Sequence, residues 1–135
     1  MANKPYAQEW LSFAKRNLDT AKLLYNVNHY TDIIGCELQQ ALEKTLKAIL
    51  AYNNTKIPKE HDLVKVYFLV ENFFNFTDKE LLLLKMATNY YKNERYPTPH
   101  FSLPPKEEIK EVLDFTCEVF DTVCATLQIK HKELE

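Results

Sequence analysis

Residues 39–50 read QQALEKTLKAIL, and the spacing of the apolar side chains in this stretch decides the fold. Leucine, alanine and isoleucine recur every three or four residues, which is the period of an α-helix rather than of a strand. The same pattern extends in both directions and predicts a helix over residues 31–53. This helix is apolar over more than half of its circumference, so we expect it to contact several neighbours and to lie at the centre of the fold.

One side of the predicted central helix remains polar. Gln40, Lys44 and Lys47 project within about 60° of one another, given a turn of about 100° per residue. Two interpretations of this line stay open at this point. It either faces an anionic ligand or is simply exposed to solvent, because charged residues on a protein surface often contact only water.

Amphipathic patterns on either side of the central helix predict four more helices. Their expected bounds are residues 7–27, 62–74, 78–95 and 105–130. Capping residues support three of the five starts, namely Thr31 or Asp32 for the second helix, Asp62 for the third and the capping box Thr77 to Glu80 for the fourth. After the fourth helix, four prolines make residues 96–105 a stiff, mainly extended connector.

The composition agrees with a helical protein. The chain has 135 residues and a single glycine, which excludes folds that depend on glycine-rich turns or phosphate loops. We therefore predict an all-α fold, a four- to five-helix up-down bundle, in which residues 1–135 form one domain.

The predicted fourth helix also suggests an oligomer. Its sequence LLLLKMATNYY, residues 81–91, is hydrophobic on nearly all sides, so either the fold itself or a second subunit must cover it. Burial in the core is the commoner fate of such a run. If a second subunit covers it, the candidates for the dimer surface are Leu82, Leu83, Met86 and Tyr90.

Several classes of function are excluded by what the sequence lacks. A net charge of −2 gives no global basic field for nucleic acid, so any site for a polyanion must be local. The three cysteines lack CxxC spacing and are expected to be reduced core residues, and no histidine pattern fits a metal. We predict no metal and no cofactor. The amino terminus lacks an apolar leader and no stretch is long enough to cross a membrane, so we expect a cytoplasmic protein.

The remaining polar residues predict a basic cleft. Lys44 and Lys47 of the central helix, His61 before the third helix, and Lys92 and Arg95 at the end of the fourth would meet if the helices pack up and down. Tyrosines 90, 91 and 96 would line the same cleft. Cationic groups beside aromatic rings suit a phosphate and a base.

Three stretches of the sequence together resemble the HEPN family, the higher eukaryote and prokaryote nucleotide-binding domains. They are QQALEKTLKAIL at 39–50, HDL at 61–63 and NERYP at 93–97, and the resemblance extends from WLSFAKRNLDTAKLLY at 10–25 onward. It implies a helical bundle, usually a homodimer, that often pairs with a minimal nucleotidyltransferase. Many members are metal-independent endoribonucleases and toxins in which four to six residues separate an arginine from a histidine.

Arg95 and His100 meet that spacing. In the catalytic interpretation, His100 would act as general acid or base while Arg95 holds the scissile phosphate. Two features depart from the ribonuclease members: Tyr96 replaces the usual polar residue after the arginine, and Pro97 and Pro99 prevent a helix between the two motif residues.

The sequence therefore favours a phosphate-binding function and leaves two alternatives open. The predicted site for a nucleotide or an RNA phosphate consists of Gln40, Lys44, Lys47, His61, Lys92, Arg95 and Tyr96. The first alternative is a metal-independent endoribonuclease that uses Arg95 and His100. The second is a non-catalytic helical module for dimerisation or scaffolding, without a ligand.

Overall fold

The computed structural model describes residues 2–95 and 102–134, with side chains placed for 2–92 and 102–134. Within these residues the protein is all helical, as predicted, and no strand is present. The helices are α1 (Lys4–Asn26), α2 (Thr31–Tyr52), α3 (Leu63–Phe68), α4 (Asp78–Arg95) and α5 (Lys106–Thr126), followed by a short 3-10 helix, His131–Glu133. None of the described helices is long and apolar enough to cross a membrane.

Helix α2 lies at the centre of the bundle and packs against α1, α3, α4 and α5. Its apolar stripe is almost completely buried, as Leu38, Leu42 and Leu46 illustrate. The start of α1 is tied to the end of α2, because the amide of Asn3 donates to the carbonyl of Tyr52 over 2.7 Å. The prediction of a central second helix is confirmed.

The capping predictions have mixed outcomes. Asp62 caps α3 by accepting from the amide of Val64 over 3.0 Å. At the start of α4, the amide of Thr77 donates to Glu80 over 2.9 Å and the amide of Glu80 donates back to the Thr77 hydroxyl over 3.2 Å. For α2 the prediction is wrong: the cap is Tyr30, in extended conformation and without a side-chain bond, while Thr31 and Asp32 lie inside the first turn.

Helix α3 is shorter than the predicted 62–74 because the hydroxyl of Tyr67 bonds the backbone of the segment that follows the helix. The Tyr67 hydroxyl donates to the carbonyl of Phe74 over 3.0 Å and accepts from the amide of Phe76 over 2.9 Å. The rings of Tyr67 and Phe76 stack with centroids 4.7 Å apart. These bonds satisfy backbone groups outside a helix, so the chain turns at Phe68 instead of continuing to residue 74.

Three helices end on residues in the left-handed conformation that are not glycine. Asn28, Asn54 and Gln128 have φ values of 58°, 55° and 56° and follow α1, α2 and α5. At the end of α5, the amide of Ile129 donates to Cys124 over 2.9 Å and that of Gln128 to Ala125 over 3.2 Å, the pattern of a Schellman motif. Helix α5 therefore ends at Thr126, four residues before the predicted 130.

The predicted dimer surface on α4 is largely core. Leu83 and Tyr90 are each only 6% exposed, and Met86 is partly buried. The buried Tyr90 ring packs on Gly35 of α2, and its hydroxyl donates to Glu108 of α5. Of the four candidates, only Leu82 is largely exposed, at 55%.

The single glycine of the chain permits the close approach of α2 and α4. A Cβ atom added to Gly35 would lie 2.7 Å from the ring of Tyr90, well inside van der Waals contact. Any larger residue at this position must displace a buried aromatic ring.

We expect Gly35→Ala to lower the free energy of unfolding by about 1–3 kcal/mol, because overpacking outweighs the usual gain in helix propensity. Urea denaturation of the variant and the wild type measures this difference. In a Tyr90→Ala background, where the ring is absent, the same substitution should stabilise α2. A stabilising effect of Gly35→Ala alone would contradict the close packing described above.

Candidate functional site

A buried carboxylate organises the polar side of α2. Glu43 is 6% exposed and accepts three hydrogen bonds. Its Oε1 atom accepts from Gln39 Nε2 over 3.0 Å and pairs with His61 Nδ1 at 2.9 Å, and its Oε2 atom accepts from Lys47 Nζ over 3.0 Å. Burial by itself would raise the pKa of Glu43, but the bonds from His61, Lys47 and Gln39 more than offset this and hold the pKa below its ordinary value. The carboxylate is therefore ionised at neutral pH.

The local sequence explains this arrangement. Gln39, Glu43 and Lys47 are spaced four residues apart, so one side of α2 presents them in a row. The Glu43 to Lys47 ion pair is buried, with 8% and 4% of the two side chains exposed. The i, i+4 spacing is visible in the sequence, but neither Gln39 nor Glu43 is among the predicted site residues.

Lys47 does not lie on an exposed polar line, and that prediction is wrong. The residue is 3% exposed, and its ammonium group is bound to Glu43. A buried ammonium that already pairs with a buried carboxylate cannot reach a ligand in solvent. Lys47 instead balances the charge of Glu43.

His61 is held in place from two directions. Gln39 Nε2 donates to the His61 carbonyl over 2.9 Å, and Glu43 fixes the ring through Nδ1. The side chain is 51% exposed, and its ring lies against Tyr91 with centroids 5.1 Å apart and a 36° angle between the planes. Among the described residues no side chain bonds the other ring nitrogen, Nε2. An imidazole at the surface is thus oriented by a carboxylate beneath it, next to the end of α4.

Two other predicted site residues, Gln40 and Lys44, bond different neighbours. Gln40 is partly exposed, and its Nε2 atom donates to Gln39 Oε1 over 2.7 Å. Lys44 points towards α1, where its Nζ atom donates to Asn17 Oδ1 over 2.7 Å. Lys44 therefore bonds α1 and takes no part in the hydrogen bonds around His61.

At the end of α4, Lys92 is exposed one residue after Tyr91. Arg95 is the last residue of the helix, but its side chain, Tyr96 and His100 lie outside the described residues. Tyr90 does not line a cleft, because it is buried against Gly35 and bonded to Glu108. The described histidine, cysteine and acidic side chains form no group of three that could hold a metal ion.

The sequence and the fold were both compared with those of known proteins. Residues 7–130 match the sequence profile of the HEPN domain. Over 106 residues the chain is 32% identical to a Methanocaldococcus jannaschii protein named "Putative toxin MJ1304", covering 73% of this chain and 68% of that protein.

Two solved structures share the fold. TT1696 from Thermus thermophilus superposes with a TM-score of 0.73 and 23% identity, covering 87% of this chain and 94% of that one. ST0689, described as an archaeal HEPN homologue, superposes with a TM-score of 0.68 and 17% identity, covering 90% and 97%. At these identities the two structures support the fold alone.

We expect Glu43→Gln to lower the free energy of unfolding at neutral pH by about 3 kcal/mol, because it leaves the buried Lys47 without a counter-charge. The effect should depend on pH. Since folding lowers the pKa of Glu43, its contribution is complete above the unfolded value near 4.5 and is lost as pH falls through the lower folded value.

The difference between wild type and Glu43→Gln should therefore shrink in acid, which urea denaturation at a series of pH values measures. Glu37→Gln is the matched control, because Glu37 is partly exposed and bonds only the neutral amide of Asn17 among described groups. A difference between wild type and Glu43→Gln that stays constant into the acid range would contradict the role assigned to the carboxylate.

Proposed function

The chain belongs to the HEPN domain family, and on that premise we propose that it binds the phosphate of a nucleotide or of RNA where His61 meets the end of α4. The observation that carries this proposal is the half-exposed His61 ring, fixed by the buried Glu43 carboxylate beside Tyr91 and Lys92. The ring nitrogen of His61, together with an aromatic ring and an ammonium group at consecutive positions of α4, suits a phosphate and its attached base.

Arg95 extends the proposed surface along the same helix. It ends α4 one turn after Lys92, and an arginine binds phosphate oxygens through two parallel N–H donors. Tyr96 follows it directly in sequence and is included in the proposed site as a residue that contacts the ligand. Lys47 is left out of the ligand contacts because its ammonium is buried.

Two partners form part of the proposal. A second copy of the chain would form a homodimer, and the exposed Leu82 on α4 is a residue that such an interface would cover. A minimal nucleotidyltransferase is the second proposed partner, since the HEPN sequence pattern implies that pairing.

The binding proposal is tested with a fluorescently labelled single-stranded oligoribonucleotide and measured by anisotropy. Lys92→Ala and Arg95→Ala should each weaken binding about tenfold, because each removes a charged hydrogen bond or ion contact to phosphate. Binding should also weaken as salt is raised, with a shallower slope for the two variants.

Lys85→Ala is the matched control, since Lys85 is exposed on the same helix two turns before Lys92. It should bind like the wild type, and so should His100→Ala. If nucleotides and RNA show no saturable binding at all, the proposed function is wrong and the scaffold interpretation holds.

The second candidate function is a metal-independent endoribonuclease. Two observations favour it: the relative from M. jannaschii carries the name of a toxin, and an imidazole held by a carboxylate suits proton transfer. In such a reaction the ribose 2′-oxygen attacks phosphorus and loses its proton to a base, while the bond to the 5′-oxygen breaks and that oxygen takes a proton from an acid. The products are a 2′,3′-cyclic phosphate and a 5′-hydroxyl.

Incubation of mixed RNA with the purified protein in EDTA tests this candidate. If Arg95 and His100 carry the reaction, His100→Ala should reduce the rate at least about 100-fold by removing a general acid or base. Arg95→Ala should cause a similar loss by removing the charge that holds and stabilises the scissile phosphate. Loss of cleavage in His61→Ala with full activity in His100→Ala would instead assign the proton transfer to His61. The absence of cyclic phosphate ends in all samples would leave only the binding function.

A further inference from the structure

A second cationic site lies where Lys44 of α2 meets α1. Phe13, Arg16, Asn17 and Lys44 line a surface pocket of about 260 Å³ there. Arg16 and Lys44 come from different helices and meet over the same aromatic ring. Of these four residues, only Lys44 is a site residue predicted from the sequence.

Among the described side chains, none forms a direct ion pair that cancels the charge of Lys44 in this pocket. Its Nζ atom donates to the neutral amide oxygen of Asn17 over 2.7 Å. Asn17 in turn donates from Nδ2 to Glu37 Oε1 over 2.8 Å, so the amide stands between the ammonium and the carboxylate. Burial lowers the pKa of Lys44, partly offset by the charges of Glu43 and Glu37. An anion in the pocket would replace solvent around this ammonium.

The charge of Arg16 is also available. Its guanidinium carbon lies 5.0 Å from the centroid of the Phe13 ring, and Lys44 Nζ lies 5.9 Å from the same centroid. Arg16 forms no salt bridge with any side chain that the structure places, and it is exposed. A planar guanidinium kept on an aromatic ring is partly immobilised before a ligand arrives, which lowers the entropy cost of binding.

An aromatic groove adjoins this pocket along α1. It has a volume of about 590 Å³, within the range of small-molecule sites, and Phe13 and Arg16 belong to both cavities. Tyr6 and Trp10 line the groove, and so does the carboxylate of Glu9. The combined site is thus aromatic along its length and cationic at one end.

We propose that this groove and pocket bind a nucleoside monophosphate, with the phosphate between Arg16 and Lys44 and the flat base along the Tyr6, Trp10 and Phe13 side of α1. The charge at one end matches a phosphate monoester, and the aromatic walls match a base. The site is separate from the surface around His61, so the inference does not depend on binding there.

The chain supplies its own reporter for this site. Trp10 lines the groove and is the one tryptophan in the sequence, so its fluorescence should change when a ligand enters. Titration of the full chain with adenosine 5′-monophosphate should give a saturable change. Adenosine without phosphate should bind at least about tenfold more weakly, because the charged contacts to Arg16 and Lys44 are lost.

Arg16→Ala and Lys44→Ala should each weaken binding of the monophosphate about tenfold or more. Lys22→Ala, which removes an exposed cation of α1 outside both cavities, should leave it unchanged. Arg16 is an exposed residue whose removal leaves the core intact, so its variant remains informative if Lys44→Ala does not fold.

Three results would overturn the proposal. The first is equal binding by wild type and Arg16→Ala. The second is an effect of Arg16→Ala on an oligoribonucleotide but not on the monophosphate. The third is a change of Trp10 fluorescence with protein concentration alone, which would make the groove a contact between copies of the chain. The proposed function at His61 stands or falls separately, on Lys92→Ala and Arg95→Ala.

Discussion

The hydrogen bonds to the buried Glu43 carboxylate are the interactions on which the polar side of α2 and the loop before α3 depend. A charged group with so little contact to water is tolerated only when donors surround it, and here an amide, an imidazole and an ammonium do so. These donors come from α2 itself and from the loop before α3. The carboxylate therefore fixes where that loop crosses α2, and with it the direction of the His61 ring.

The sequence predicted the fold well because the fold depends on periodicity and capping. The burial of α2, the cap at Asp62 and the capping box at Thr77 are all local patterns, and each is confirmed. The end of α3 was not predictable in the same way. It depends on the Tyr67 hydroxyl, which binds the backbone seven and nine residues further along the chain, and no local pattern encodes that contact.

The site was less predictable than the fold for a related reason. A helical wheel places Lys44 and Lys47 near each other, but it cannot tell which lysine the neighbouring segments cover. Lys47 is covered and pairs with Glu43, whereas Lys44 turns to Asn17 on α1. Three of the residues at the α1 side, Phe13, Arg16 and Asn17, belong to an ordinary amphipathic helix in the sequence. Only the packing of α1 against α2 shows that they share a pocket with Lys44.

The residues in left-handed conformation after three of the described helices affect the free energy of unfolding. In the left-handed conformation a residue with a Cβ atom costs roughly 1 kcal/mol more than glycine, although asparagine tolerates it better than most. This cost applies after α1, α2 and α5. Gln128, which follows α5, also lacks the short polar side chain that makes asparagine tolerate this conformation. The folded state is thus less stable than the same bundle would be with glycine at these positions. These positions lie just beyond helix ends, so substitutions that raise the stability there would leave both the core and the charged surfaces unchanged.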